Sequence, residues 1–393
     1  MNEPKLRFKA DDGSQFPDWE EKKIGDITLS HNAGVYIAKD NYGTGTNIIG
    51  VGDIYESDVI NGKQYRLAPV DSDEYILDEG DLVYGESSLV PEGIARTVCI
   101  SAAGKGTAFA WHTRRYKVDR TIINPYFLTL QVNYAKRVRN HLMRVCTRNA
   151  LTGMTTNEYF GTKVSVPCLP EQQKIAEFLS TIDTVIKKQK ETVSAWEERK
   201  KGVMQKLFSQ EVRFKADDGS EFPEWEEKNV EDVCSVSTGK GNTQDKVDTG
   251  AYRFYVRSPI IEHSDSYLFD EEAVITVGDG VGTGKVFHYV KGKYNLHQRC
   301  YRMYDFRDVT GKYFYYFFST NFYRRVKSMS AKTSVDSVRM EMITKMKILV
   351  PCLAEQRKIA DCLSSLDEVI EKQKATLAAW EELKKGLLQQ MFV

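Results

Sequence analysis

The sequence predicts an α+β chain in which two α/β domains are separated by two long antiparallel coiled-coil helices, all within a pseudo-twofold internal repeat. Three observations carry this expectation. "RFKADDGSQFPDWEEK" (Arg7 to Lys22) returns almost unchanged as "RFKADDGSEFPEWEEK" (Arg213 to Lys228). "VPCLPEQQKIAEFLSTIDTVIKKQKETVSAWEERKKGVMQKLF" (Val166 to Phe208) returns as "VPCLAEQRKIADCLSSLDEVIEKQKATLAAWEELKKGLLQQMF" (Val350 to Phe392). Between these blocks the text diverges and changes length: Trp19 recurs 206 positions later as Trp225, whereas Trp196 recurs only 184 positions later as Trp380. A long internal repeat governs the reading of everything else. It divides the chain into a variable domain at residues 1–165, a constant long helix at 166–212, a second variable domain at 213–349 and a second constant helix at 350–393.

The variable domains come first. A chain of 393 residues has room for two or three proper cores. Lys plus Arg and Asp plus Glu are equal at 55 each, so total charge points to no partner. Local charge is more informative. Leu29 to Glu92 carries 3 basic and 12 acidic residues, and Gly93 to Lys163 carries 12 and 2. Cys234 to Asp279 carries 4 and 8, and Gly280 to Lys347 carries 14 and 4. Each variable domain thus has a basic second part, as a phosphate-binding face would need, unless the acidic and basic parts pair inside the fold. Faint similarity joins the two domains: "YILDEGDLVY" (Tyr75 to Tyr84) with "YLFDEEAVIT" (Tyr267 to Thr276), "HTRRYKV" (His112 to Val118) with "HQRCYRM" (His297 to Met303), and "NYAKRV" (Asn133 to Val138) with "NFYRRV" (Asn321 to Val326). They read as one scaffold carrying two different surfaces.

The constant segments come next. Positions taken at alternating spacings of four and three give Ile175, Leu179, Ile182, Ile186, Gln189, Val193, Trp196, Lys200, Val203 and Leu207 in the first copy. In the second they give Ile359, Leu363, Leu366, Ile370, Gln373, Leu377, Trp380, Lys384, Leu387 and Met391. An apolar a/d pattern broken only by Gln and Lys is a coiled-coil seam. Pro170 stands where a first-turn proline is tolerated. The simplest partner for one helix is the other, antiparallel; a packed hairpin without a spacing role and a helix that dimerises two chains remain alternatives.

The seven cysteines show no CxxC spacing and read as reduced thiols used for packing. The amino terminus has no apolar run of signal-peptide length, and "YFYYFF" (Tyr313 to Phe318) is too short to span a bilayer. The expectation is a soluble cytoplasmic protein without membrane contact.

Two variable regions, each announced by "FPDWEEKKIGDI" or "FPEWEEKNVEDV" and each followed by a long helix opening "VPCLPEQQKIA" or "VPCLAEQRKIA", make a whole-chain resemblance to the specificity subunit of type I restriction-modification enzymes. The Pro-x-x-x-Glu-Gln-x-Lys-Ile-Ala stretch is its most specific part, and one departure of the second copy is Ala354 where the first has Pro170. The resemblance implies a non-catalytic DNA-recognition subunit. Each variable domain would be a target recognition domain for one half of a split double-stranded DNA sequence, with the helices spacing the halves and the repeated blocks docking two modification subunits. It implies no cofactor in this chain: S-adenosylmethionine, ATP and Mg would belong to partner subunits, the modification subunits methylating adenine and restriction subunits joining the assembly.

Motifs for chemistry within the chain fail on spacing. "NPYF" (Asn124 to Phe127) lacks the second proline of an adenine methyltransferase signature and reads as a helix start; "PDWEEK" packs its acids too closely for a nuclease; "GDGVGTGK" (Gly278 to Lys285) misses the Walker spacing and reads as a hairpin turn or a loop near DNA. Arginine can hold guanine, Asn or Gln adenine, and Lys phosphate. The candidate DNA-binding residues are Lys105, Arg114, Arg115 and, within "RNALTGMTTN", Arg148, Asn149, Thr152, Thr155 and Thr156. In the second domain they are Lys285, His297, Arg299 and, within "AKTSVDSVR", Lys332, Thr333, Ser334 and Arg339. Matched residues such as His112/His297 and Tyr116/Tyr301 read equally as scaffold. Two other functions stay open on residues alone: a coiled-coil adaptor without a DNA role, and a self-contained methyltransferase or nuclease.

Overall fold

The constant blocks lie far apart in sequence and fold onto each other. In the computed structural model, which describes residues 4–148, 152–280, 282–329 and 337–392, Glu171 in the first turn of the first long helix is fully buried. A buried carboxylate needs partners. Arg7 supplies two parallel arms, Nε donating to Oε1 at 3.0 Å and Nη2 to Oε2 at 2.7 Å, and the Trp19 indole N–H donates to Oε2 at 3.1 Å. Gln172, also buried, donates to the Pro167 and Ile122 carbonyls and accepts from the Asn124 backbone N–H at 2.7 Å. Lys174 closes the group from outside, donating to Lys9 O at 2.9 Å and Asp11 Oδ1 at 2.5 Å. The second copy repeats these contacts with Arg213 and Trp225 on Glu355, Gln356 on Pro351, Asp308 and Thr310, and Lys358 on Lys215 and Asp217. The most specific stretch of the repeat is therefore a clamp that ties helix to block, with Ile175 and Ala176 buried behind it.

"PDWEEK" belongs to the same frame: Glu20–Lys23 is a strand antiparallel to Lys163–Val166, and Glu226–Asn229 pairs likewise with Lys347–Val350. Asn124 caps the helix Pro125–Tyr134, its side chain accepting from Phe127 N at 3.0 Å, so "NPYF" is a helix start.

Both long segments are single helices, Leu169–Phe208 of 40 residues and Leu353–Met391 of 39. The chain folds as two units, Met1–Gln189 with Thr376–Val393, and Lys190–Ala375. Both divisions fall inside the long helices, so each unit holds part of each helix. Along the expected seam Ile175, Leu179, Ile182, Ile186, Val193, Ile359, Leu363 and Ile370 are buried, and Trp196, Leu366, Leu377 and Trp380 are half-buried. In the first unit Leu377, Trp380, Leu387 and Met391 share a core with Ile175 through Ile186; in the second Val203, Met204 and Leu207 share one with Ile359, Leu363 and Leu366.

The seam's lysines find aspartates on the facing helix. Lys384 meets Asp183 at 2.6 Å in the first unit, and Lys200 meets Asp367 at 2.5 Å in the second. These are the same contact in the two repeats, and in the second unit Lys374 also meets Glu197 at 2.9 Å, so that moving back along one helix moves forward along the other and the segments run antiparallel. Burial works against the charge on Lys384, but the Asp58 and Asp183 carboxylates outweigh it and hold its pKa above the ordinary lysine value. Each aspartate also accepts from an aromatic helix, Asp183 from Tyr126 at 2.6 Å and Asp367 from Tyr316 at 2.7 Å. The seam is thereby keyed to the variable domain beside it.

The variable parts are sheets backed by those aromatic helices. The first holds a five-stranded sheet in the order Thr28–Ala33, Thr113–Val118, Leu82–Gly85, Thr97–Ile100, Val59–Ile60, and a smaller one of Arg66–Ala68, Thr46–Ile49 and Ala108–Phe109. The second holds one six-stranded sheet in the order Ser235–Thr238, Cys300–Tyr304, Phe269–Val277, Phe287–Leu296, Tyr252–Tyr255, Glu262–Ser264, packed on the helix Gly311–Met329. "GDGVGTGK", whose Val281 lies outside the described residues, stands between two antiparallel strands of this sheet, Phe269–Val277 and Phe287–Leu296. Burial pushes the Cys99, Cys234 and Cys300 thiols up to about 12, so they pack rather than react.

Candidate nucleic-acid interface

Strand alternation sorts the arginines of the first unit. Arg114 and Arg115 are neighbours on Thr113–Val118, so they leave opposite faces of the sheet. Arg115 is tied to its neighbours, Nε donating to Asn32 Oδ1 and Nη1 to Ile76 O, both at 2.9 Å, with Asp81 3.7 Å away. Arg114 Nε donates to Glu86 Oε1 at 2.6 Å, and its Nη1 lies 3.3 Å from His31 Nδ1.

Glu86 opens a small edge. Its carbonyl accepts from Met154 N at 2.9 Å, Ser87–Ser88 pair with Thr152–Gly153, and those pair with Thr147–Arg148. The fold thus gathers Arg114, Arg148 and Thr152 at one place, with Arg148 exposed and Thr152 buried. Thr155 accepts from Glu158 N at 3.3 Å and caps the helix Thr156–Gly161, whose first residue, Thr156, is half-buried. Lys105 belongs to a different group, 3.1 Å from Asp78, which also faces Lys117. Asn149 lies outside the described residues.

The second unit builds the corresponding edge from different side chains. Val338 N donates to Gly278 O at 2.7 Å, as Met154 does to Glu86, and Ser337 bridges to Asp279. Arg299 Nη1 donates to Asp279 Oδ2 at 2.7 Å, and Arg257 Nη1 lies 3.3 Å from Oδ1. Burial would raise the Asp279 carboxyl, but these two guanidinium groups hold it below the usual range. Arg339 is exposed one residue beyond Val338. Lys285 is exposed with its Nζ 5.2 Å over the Tyr323 ring. His297 is buried, its Nδ1 accepting from Arg299 N at 3.1 Å, and burial pushes its imidazole below the ordinary value. Lys332, Thr333 and Ser334 lie outside the described residues.

Sequence reasoning did not nominate the organising acids, Glu86 and Asp279, although both follow the strands aligned from "YILDEGDLVY" and "YLFDEEAVIT", and that alignment was a usable signal. It also missed an exposed aromatic ridge in which Trp111 meets Tyr36 at 5.1 Å and stacks on His112 at 4.3 Å. Among the described residues no helix is long and apolar enough to cross a membrane.

A frame clamped twice in the same way around two unlike edges defines a class of internally duplicated two-domain proteins. A family model described as "Type I restriction modification DNA specificity domain" matches residues 17–194 and 223–379. The chain belongs to that family, whose members are the specificity subunits of type I restriction-modification systems. It is 21% identical over 420 residues to the type I restriction enzyme MjaVIII specificity subunit of Methanocaldococcus jannaschii, covering 97% of this chain and 94% of that one. Over 412 residues it is 21% identical to a putative MjaX specificity subunit from the same organism, with the same coverage. Among solved structures, the S subunit of a type I restriction-modification system from M. genitalium superimposes with a TM-score of 0.64 at 12% identity, covering 100% of this chain and 99% of that one.

Proposed function

We propose that this chain is the non-catalytic DNA-reading subunit of its complex, each variable domain recognising one half of a split target. The paired helices set the distance between the halves, and the repeated blocks dock two modification subunits. Those subunits bring S-adenosylmethionine and methylate adenine; restriction subunits bring ATP and Mg. The observation that carries this reading is the contrast between frame and edge. The clamp of Arg7, Trp19 and Glu171 recurs atom for atom as Arg213, Trp225 and Glu355, whereas the edge around Glu86, Arg114 and Arg148 becomes one around Asp279, Arg299 and Arg339. A repeated frame suits identical partners, and unlike edges suit unlike base sequences.

The test is domain replacement. Exchanging Leu29 to Lys163 for the corresponding segment of a relative is expected to change one half-site in the methylome and leave the other and the spacer intact. A simultaneous change in both half-sites would show that the domains do not read independently. A second expectation concerns chemistry: the purified chain incubated with S-adenosylmethionine and duplex DNA transfers no methyl group, whereas the complex with its modification subunits methylates adenines in both halves. Methyl transfer by the chain alone would reassign it as an enzyme.

A further inference from the structure

Much of the basic half of the first variable domain is paired within that domain, and its other cations are gathered on and beside one helix. Arg96, Lys105, Arg114, Arg115 and Lys117 pair with Asp58, Asp78, Glu86 and Asp81. Arg120 donates to Glu79 O, and Arg139 to Glu92 O and Ile94 O. The alternative that the acidic and basic parts pair internally is thus realised for most of the domain. The other cations of the basic half are Lys136, Arg137, Arg144, Arg148 and Lys163, of which Arg137 and Lys163 share the one carboxylate of Glu21 and Arg148 donates to Met143 O at 3.2 Å. Four lie on or just after the helix Lys136–Val145, which contains no acidic residue, and the fifth on the strand Lys163–Val166.

We propose that the cleft lined by Arg137, Asn140, His141, Arg144, Gly161 and Lys163, with a volume of about 690 Å³, holds the phosphate backbone of duplex DNA beside the base-reading edge. Four of its six lining residues carry basic side chains. Glu21 accepts from two of them, Arg137 and Lys163, and is held below the usual carboxylate range chiefly by Lys163 and then by Arg137. Arg137 and Lys163 keep more than half of their side-chain surface exposed. Arg144 is exposed and lies 3.2 Å from His141 Nδ1. Guanidinium groups in the open match phosphate oxygens in shape and charge, and long cationic side chains fix register without reading sequence. Placement agrees with this: the helix runs directly into Thr147–Arg148, the outer strand of the reading edge. The ribbon pair recurs as Lys347 and Glu227 at 3.2 Å in the second unit, where Arg324 and Lys327 stand exposed on the aromatic helix.

This assignment rests on the DNA-reading role proposed above. Its test uses the chain assembled with its modification subunits, a duplex carrying the methylated site mapped for that complex, and a scrambled duplex of equal length, with affinity followed across a salt series. Arg137→Gln combined with Arg144→Gln is expected to weaken both duplexes by the same factor while leaving the methylated sequence unchanged. The plot of log K against log salt should become shallower by about 2, at about 0.9 per lost phosphate contact. Glu21→Gln removes the competing carboxylate and is expected to tighten both duplexes, a gain that a misfolded domain would not produce. An unchanged salt slope in the double variant, a loss confined to the mapped site, or loss of modification subunits with the slope intact would each overturn the assignment. In all three cases the wild-type complex still binds its site and the DNA-reading role stands. A wild-type complex that bound neither duplex in a salt-dependent way would instead remove that role itself.

Discussion

Replacing Glu171 by alanine is expected to lower the stability of the chain by about 3–5 kcal/mol, the range for breaking a buried ion pair from one side. The loss has two parts. The Arg7 guanidinium, 16% exposed, would lose both charge-assisted bonds to the carboxylate while keeping its bonds to the Phe16 and Pro17 carbonyls. The Trp19 indole N–H, buried against the same carboxylate, would lose its acceptor, and an unsatisfied buried donor costs about 1–3 kcal/mol. Glu171→Gln keeps the shape and one acceptor oxygen and should cost less. A paired change, Arg7→Met with Glu171→Leu, should recover much of the alanine loss, because it removes the buried charges together. Lys174→Ala, whose salt-bridge partner Asp11 is almost fully exposed, should cost about 1 kcal/mol or less. Urea titrations of the four variants check the ranking. A Glu171→Ala variant within about 1 kcal/mol of wild type would show that the repeated Glu is kept for docking a partner rather than for holding block to helix.

The same clamp shows what could be read without coordinates. Repetition reveals that Arg7, Trp19 and Glu171 travel together, because their second copies Arg213, Trp225 and Glu355 do; it cannot reveal that they touch, since they are separated by up to 164 residues. The seam was legible for a different reason: helical periodicity is local, and Ile175 to Ile186 and Ile359 to Ile370 satisfy it within a few turns. The lysines interrupting it were legible as polar seam residues, but their partners Asp183 and Asp367 appear only once the antiparallel register places them across the interface.

The candidate interface was less legible because charge pairing in a sheet is nonlocal. Arg96 finds Asp58 across 38 residues, and Arg115 finds Asn32 across 83. From composition alone every cation of the basic half looks available, and Arg114 and Arg115 look alike. Only strand order, with Thr28–Ala33 beside Thr113–Val118, shows that the two leave opposite faces and that each has its own partner, Glu86 for Arg114 and Asn32 for Arg115. His297 carries the same lesson: a histidine matched between the domains proved to be buried and bonded to its own loop.

Adding one heptad to both long helices, between Gln189 and Val193 and between Gln373 and Leu377, is expected to lengthen the spacer between half-sites by about three base pairs and to weaken binding. The insertion points lie at the boundary between the units, Gln189 to Lys190 and Ala375 to Thr376. The pair Lys384 and Asp183 belongs to one unit and Lys200 and Asp367 to the other, so both survive when the helices grow together. Seven residues keep the a/d register and add about 10 Å at about 1.5 Å per residue. That length corresponds to about three base pairs at about 3.4 Å each. Rotation opposes the change: three base pairs turn the duplex by about 100° at about 10.5 per turn, while a heptad in a supercoiled seam turns a domain far less. DNA twisting and domain tilt must absorb the difference, which is why affinity should fall. Lengthening only one helix should be more damaging, because one of the two lysine–aspartate pairs must then give up its register. Methylome mapping of both variants decides the matter. A doubly lengthened protein that methylated its original site at full strength, spacer unchanged, would show that the helices do not set the distance between half-sites.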